Sequence, residues 1–297
     1  MPISLLALDL DGTLLNSRGH ITDRNRSALE QARAHGVRVA LVTGRRFRDA
    51  RPIALELGLD VPLIAHNGAL TKHAETLETV AALPLPLPAA RKALQVGRSA
   101  GADALLSDDH EGLGLLVYDH LRGDNRAAQA YVAWARRIHG DEGAEAVRQV
   151  DSLEDYLNHE PVHLAFSGGC HEMQTLEALL LRELVGQVRV FFTTYPKKDF
   201  ALVDVVNPQA SKGVGVAATA AELGVSRDEV MAIGDNLNDL EMLNYAGTGV
   251  VMGNAEPSLH EIDGLFATTS NDEDGVARAI ERFILDSVGA EHRVFPD

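Results

Sequence analysis

Residues 3–8, Ile-Ser-Leu-Leu-Ala-Leu, make a short, almost wholly apolar run that stops abruptly at Asp9-Leu-Asp-Gly-Thr13. A strand without an alternating polar face has to be covered on both sides, which predicts a parallel sheet sandwiched between helices. An extended backbone points side chains i and i+2 to the same side, so Asp9 and Asp11 are expected to face one pocket at the strand's end. Two carboxylates there suit a divided task. One attacks an electrophilic centre, the other gives and takes a proton, and a hard cation offsets their repulsion. Gly12 allows a tight exit from the strand, and Thr13 adds a hydroxyl beside it.

The βα rhythm that begins here is interrupted once and then resumes. Thr22 can cap a helix over residues 23–35 that Gly36 stops, and residues 37–42 read as the next strand. A helix over 47–56 and a short strand at 63–65 complete a βαβαβ pattern, whose crossovers imply parallel pairing. At Leu-Pro-Leu-Pro-Leu-Pro, residues 83–88, the missing amide donors argue against a central strand and for a stiff connector at a domain boundary. Beyond it, strands are expected near 104–106, 114–118, 147–150, 162–166, 188–193 and 200–206, with helices over 89–99, 124–139 and 172–184. Ser211 then caps a new helix, and Ser226 and Glu229 have capping-box spacing ahead of a strand at 230–233. A helix at 239–245, a strand at 249–252 and a helix at 275–285 follow. The expected architecture is α/β. A Rossmann-like parallel-sheet core takes residues 1–83 and 190–297, and a separate α/β domain is inserted at 84–189. Ligands of such sheets bind at the carboxyl ends of the strands.

Composition narrows the partners. With 43 acidic against 27 basic residues the formal charge is −16, so the overall field opposes a nucleic acid. A small phosphorylated metabolite stays compatible, because a local lysine and a metal can reverse the potential within a pocket. Cys170 is the only cysteine, which excludes an intramolecular disulfide. The chain has no run of about eighteen apolar residues and no secretory leader pattern, so a cytoplasmic protein without a membrane partner is expected, as monomer or homodimer.

Three further segments carry chemistry. Thr43-Gly44-Arg45 ends an apolar strand, where a hydroxyl and backbone amides can hold a phosphoryl oxygen and Arg45 can aid phosphate or sugar binding. Lys212 sits at a helix start, where its charge opposes the dipole unless an anion lies nearby. Gly234-Asp235-Asn-Leu-Asn-Asp239 follows another apolar run. Asp235 can complete a Mg²⁺ site with Asp9 and the carbonyl of Asp11; Asn238 can position a ligand or Lys212, and Asp239 can act behind the metal ligands and cap a helix. Asn67 can supply an amide at the mouth, while His163, Lys197 and Lys198 lie near plausible strand ends and have no assigned role.

Together, Asp9-Leu-Asp-Gly-Thr13, Thr43-Gly-Arg45, Lys212 and Gly234-Asp235-Asn-Leu-Asn-Asp239 resemble the haloacid dehalogenase-like hydrolase superfamily. His66-Asn67-Gly68-Ala69, Asn207-Pro208 and Gly253-Asn254-Ala255 make the chain similar to its Cof-type sugar phosphatases, over about residues 3–83 and 190–285. The resemblance implies a HAD-like core and a large α/β cap of type C2B. It makes Asp9 a nucleophile that forms an aspartyl-phosphate, Asp11 the acid and then the base, and Mg²⁺, Thr43, Gly44 and Lys212 the stabilisers of the phosphoryl oxygens. The implied substrates are small phosphomonoesters, sugar phosphates first, with flavin-precursor and pyridoxal phosphates also compatible. A phosphomutase and a noncatalytic phosphate-ligand binder remain the alternatives.

Overall fold

The computed structural model describes residues 2–139, 143–196 and 199–286. Lys197 and Lys198 lie outside them. From the N-terminus, β1 (Leu5–Asp9) is followed by α1 (Asp23–Ala34), β2 (Arg38–Val42), α2 (Phe47–Glu56), β3 (Pro62–Ala65), β4 (Leu70–His73) and β5 (Thr79–Ala82). The expected cap of α1 is present, Thr22 Oγ1 accepting from the Asn25 amide at 3.2 Å. The sequence reading missed β4 and β5. Lys72 and His73 interrupt β4, and β5 is a four-residue run that leads directly into the proline segment.

The middle of the chain runs α3 (Leu87–Ser99), β6 (Asp103–Asp108), β7 (Leu115–Tyr118), α4 (Arg126–Ile138), α5 (Gly143–Ala146), β8 (Val147–Gln149), α6 (Leu153–Tyr156), β9 (His163–Gly168), α7 (Cys170–Glu183), β10 (Arg189–Tyr195) and β11 (Phe200–Val206). The proline run is only partly a connector. Pro86 is the N-cap of α3 and Pro88 lies in its first turn, where a missing amide donor costs no hydrogen bond. The chain closes with α8 (Lys212–Glu222), β12 (Val230–Gly234), α9 (Leu240–Tyr245), β13 (Thr248–Val251), β14 (Phe266–Ala267) and α10 (Gly275–Ile280). Ser211 caps α8 through the Val214 amide at 3.2 Å, and Ser226 and Glu229 close the expected capping box. The last expected helix is divided, a π-helical turn at Glu281–Leu285 continuing α10.

Two compact units result. The first comprises residues 1–44, 53–81 and 211–297, the second 45–52 and 82–210. The first is built on a sheet of order β14-β13-β12-β1-β2-β3-β4-β5. Its strands from β14 to β3 are parallel and β4 turns antiparallel to β3. Every residue of β1 is buried, as the apolar run requires. Leu5 and Ala7 join Ala40, Val42, Val216, Ala220 and Met242 in one cluster beneath α8 and α9. Leu6 and Leu8, on the alternate face, are equally inaccessible.

The second unit holds a sheet of order β10-β11-β9-β6-β7-β8, antiparallel except for β7 with β8. Residues 190–210, expected in the core, belong here instead, because β10 pairs with β11 and β11 with β9 along their lengths. Alternation sorts its residues: Ala104, Leu106, Leu164 and Phe166 face one cluster with Leu94 and Leu176, whereas Leu105 and Ala165 face another with Val132 and Ala135. Helix α3 comes so close at Gly97 that a Cβ there would lie 2.0 Å from Phe166 Cε1.

The first turns of α2 belong to this unit, and a buried polar cluster explains why. Arg46 Nε and Nη2 each donate to Asp49 at 2.8 Å, and the Tyr131 hydroxyl on α4 lies 3.0 Å from both partners. His139 Nε2 sits 3.2 Å from Asp49 Oδ1. Burial alone would raise the Asp49 pKa, but the Arg46 charge and the bonds from His139, Arg46 and Tyr131 outweigh it and hold the carboxyl below its usual value. Replacing Asp49 by Asn leaves Arg46 buried without its counter-charge, and should cost about 3–5 kcal/mol in urea unfolding at pH 7. A depressed carboxyl contributes stability that is present above its unfolded pKa and lost as pH falls through the folded value. As pH falls below about 4, the ordinary carboxylate value, the Asn variant should therefore lose less stability than the parent.

Candidate active site

Three neighbouring strands deliver the site. β1 lies between β12 and β2, and the chain order reverses there, opening a crevice at their carboxyl ends. Asp9 ends β1, Asp235 follows β12 and Thr43 follows β2. Thr43 is buried, its amide donating to the Ile64 carbonyl at 2.8 Å. Asp9 is buried too, whereas Asp11 lies exposed beyond the strand and forms a single bridge with Leu15. The strand ends at Asp9, and Gly12, at φ +87°, makes the tight exit that follows Asp11.

Lys212 ties the segments together. Its Nζ donates to Asp9 Oδ1 at 2.6 Å and to Asp239 Oδ1 at 2.5 Å, with the lysine side chain only 2% exposed. Burial opposes the ammonium charge, but Asp239 and Asp9 overcome that penalty and raise its pKa above the ordinary lysine value. The anions that reconcile Lys212 with the positive end of α8 are thus the protein's own. The other oxygen of Asp239 accepts from the Asp235 and Asn236 amides, each at 2.9 Å. Asp239 is fully engaged as the anchor of Lys212 and of the turn that carries Asp235.

Carboxylate charge exceeds what Lys212 can balance. Burial pushes Asp9 well above the usual carboxylate range; Lys212 pulls it down, while Asp239 and Asp235 push it up again. Burial, followed by the Asp239 charge, raises Asp235 to about 6. One oxygen each from Asp9, Asp235 and Asp239 lies within 4.8 Å of the others. An all-oxygen donor set with surplus negative charge fits a hard divalent cation, which Asp9 and Asp235 would hold. Asp235 is positioned by the Thr13 hydroxyl at 3.1 Å, and Gly12 is held through its carbonyl by Asn254 Nδ2 at 2.8 Å. A Cβ on Gly12 would lie 2.2 Å from Asp235 Oδ2, so the glycine is required both by its torsion and by that contact.

His66-Asn67-Gly68 is the most constrained backbone of the site. All three residues have left-handed torsions, with φ of 51°, 54° and 87°. Non-glycine residues held there carry about 1–3 kcal/mol of strain each, less for Asn than for His. The Asn67 amide donates to the Thr43 carbonyl at 3.0 Å, and Asn67 Oδ1 accepts from Asn238 Nδ2 at 2.9 Å. A Cβ on Gly44 would lie 3.1 Å from Asn67 Oδ1, and one on Gly68 only 1.9 Å from the Ser211 carbonyl oxygen.

Of the residues expected from sequence, Asp9, Lys212, Asp235 and Asp239 form one connected cluster, and Gly44, Asn67 and Asn238 form an adjoining group with Thr43. Arg45 groups with the second unit. Thr13 and Asn254 had no assigned place in the site; the Gly-Asn-Ala motif was visible, but its hydrogen bond across 242 residues was not.

Comparison with known proteins decides the family. The profile of the haloacid dehalogenase-like hydrolases matches residues 6–280. The chain belongs to that family. It is of the Cof type and is a phosphoric monoester hydrolase. It is 33% identical over 289 residues to the stress response protein YhaX of Bacillus subtilis, covering 95% of this chain and 94% of that one. It is 30% identical over 283 residues to the 5-amino-6-(5-phospho-D-ribitylamino)uracil phosphatase YcsE of the same organism, covering 95% and 96%. A haloacid dehalogenase-like hydrolase from Bacteroides thetaiotaomicron superposes with a TM-score of 0.77 at 28% identity, over 94% of this chain and 99% of that one. Among the described residues no helix is long and apolar enough to cross a membrane.

Two substitutions test the geometry. Lys212→Met should destabilise the protein by about 3–5 kcal/mol in urea unfolding, because Asp9 and Asp239 then stay buried without their cation. Gly12→Ala must displace Asp235, and a shift of that size should lower phosphate release about 100-fold while the far-ultraviolet circular dichroism stays that of the parent.

Proposed function

We propose that this hydrolase removes phosphate from small soluble phosphomonoesters, sugar phosphates first, with Mg²⁺ and through a phosphorylated Asp9. The observation that carries the reading is the buried Lys212 ammonium bonded to both Asp9 and Asp239. Those bonds aim one positive charge at the carboxylate that would meet the phosphoryl group. When bound, Mg²⁺ supplies positive charge against the transferring oxygens and against the paired carboxylates.

In the first transfer, an Asp9 oxygen attacks phosphorus, the bond from phosphorus to the ester oxygen breaks, and Asp11 protonates the departing alcohol. Asp11 then takes a proton from water, the resulting hydroxide attacks phosphorus, and the bond to Asp9 breaks to release inorganic phosphate. Thr43, the Gly44 amide and Lys212 oppose charge on the equatorial oxygens in both steps. The exposure of Asp11 suits a group that exchanges protons with substrate and water. Asp239 keeps Lys212 in place, and Gly44 and Arg45 are assigned to substrate contact.

The second unit takes the role of cap and reads the organic part of the substrate. Its own sheet and core support that role, since a domain that folds around its own cluster can vary its surface without disturbing β1, β2 and β12. The likeness to a ribitylaminouracil phosphate phosphatase adds flavin-precursor phosphates to the compounds worth assaying.

The test is phosphate release from a panel of hexose, pentitol, ribitylaminouracil and pyridoxal phosphates, with and without Mg²⁺. Turnover of at least one sugar or polyol phosphate that chelator abolishes is expected, and Asp9→Asn should reduce it at least about 1,000-fold and remove acid-stable, hydroxylamine-labile phosphate from the protein. Turnover persisting in chelator would reject the metal role. Isomerisation of one sugar phosphate into another without net release would replace hydrolysis by mutase chemistry.

A further inference from the structure

We propose that Asn67 is a positioning residue: the left-handed turn His66-Asn67-Gly68 sets the spacing of the phosphate-handling groups, with the Asn67 carboxamide as its link to Asn238. The inference rests on the phosphatase reading and deepens it.

Three segments far apart in sequence meet at this turn. Through its backbone amide, Asn67 holds the carbonyl of Thr43 at 3.0 Å. Through its side-chain oxygen it holds Asn238, next to the residue that anchors Lys212, at 2.9 Å. Gly68, whose missing side chain leaves room for the Ser211 carbonyl, lets the turn close on the residue that precedes Lys212. The hydroxyl of Thr43, the amide of Gly44 and the ammonium of Lys212 are the groups assigned to the phosphoryl oxygens, and each is joined to the turn directly or through one neighbour. Two successive non-glycine residues in left-handed torsions persist only when their surroundings over-determine them, which the contacts on three sides supply. Such a turn is rigid, and rigidity is what preorganised stabilisation of a transition state needs.

Positioning of this kind acts on the phosphoryl group and not on the alcohol, and more strongly in the transition state than in the ground state. That gives it a signature apart from loss of a substrate contact. Asn67→Gly tolerates the left-handed torsion while removing the carboxamide. It should lower kcat at least 10-fold, leave KM within 3-fold and shift Tm by only a few degrees, about 1 kcal/mol or less by the usual conversion. The fold-loss should be the same for a hexose phosphate and for an aryl phosphate. Asn238→Ala should add less than 2-fold to the loss in Asn67→Gly, since the two amides act as a unit.

Parental kcat in Asn67→Gly would overturn the proposal, as would a loss confined to KM or to sugar phosphates, which would make Asn67 a reader of the alcohol. Multiplying losses in the double variant would sever the link to Asn238. Orthovanadate, which adopts the five-coordinate geometry of a transferring phosphoryl group, gives a readout that does not need turnover. If the parent releases no phosphate from any compound, the phosphatase reading fails on its own. Vanadate binding at least 10-fold weaker in Asn67→Gly would then still support positioning, and unchanged binding would reject it.

Discussion

The first unit depends on one buried cation between two carboxylates. Lys212 reaches Asp9 across 203 residues of sequence and Asp239 across 27. Burying three charges is expensive, and an ion pair in such a place adds little net stability compared with an apolar substitute. What it adds is geometry. The start of α8, the end of β1 and the turn after β12 cannot drift apart without leaving a charge stranded, so the Asp9 carboxylate and the ammonium keep their separation.

The remaining negative charge gives the site its chemistry. Asp9 and Asp235 have their carboxyl groups raised by burial and by the neighbouring acids, with Lys212 compensating only in part. Two buried carboxylates whose pKa values are raised in this way are a natural seat for a hard cation, whose charge would offset their repulsion. Gly12 and the 66–68 turn serve this arrangement by letting the backbone approach where no Cβ fits. The glycines of the catalytic segments are therefore explained by contact distances as well as by torsions.

The second unit uses different means. Its sheet is nearly all antiparallel, its two faces bury separate clusters, and its link to the first turns of α2 is a buried Arg–Asp–Tyr group. A domain with its own core and its own ion pair can change its surface residues while the catalytic strands stay as they are. That independence is the physical basis of the proposal that it selects the substrate.

Sequence by itself determined the parallel core and the chemical inventory. A strand buried on both faces has no choice but a continuous apolar run, and carboxylates that interrupt such runs at Asp9 and Asp235 are legible for that reason. The helix caps at Thr22, Ser211 and Ser226 are local, and local hydrogen bonds can be read from spacing. Strands with polar residues, such as β4, left no such mark. Tertiary structure alone decided that β10 and β11 leave the core for the second sheet, since pairing partners rather than composition assign a strand to a sheet. It also decided that the partner of Lys212 is a protein carboxylate, and that Asn67 joins Thr43 to Asn238. Each of these is a contact between segments separated by tens or hundreds of residues, and no local pattern encodes the distance between two such segments.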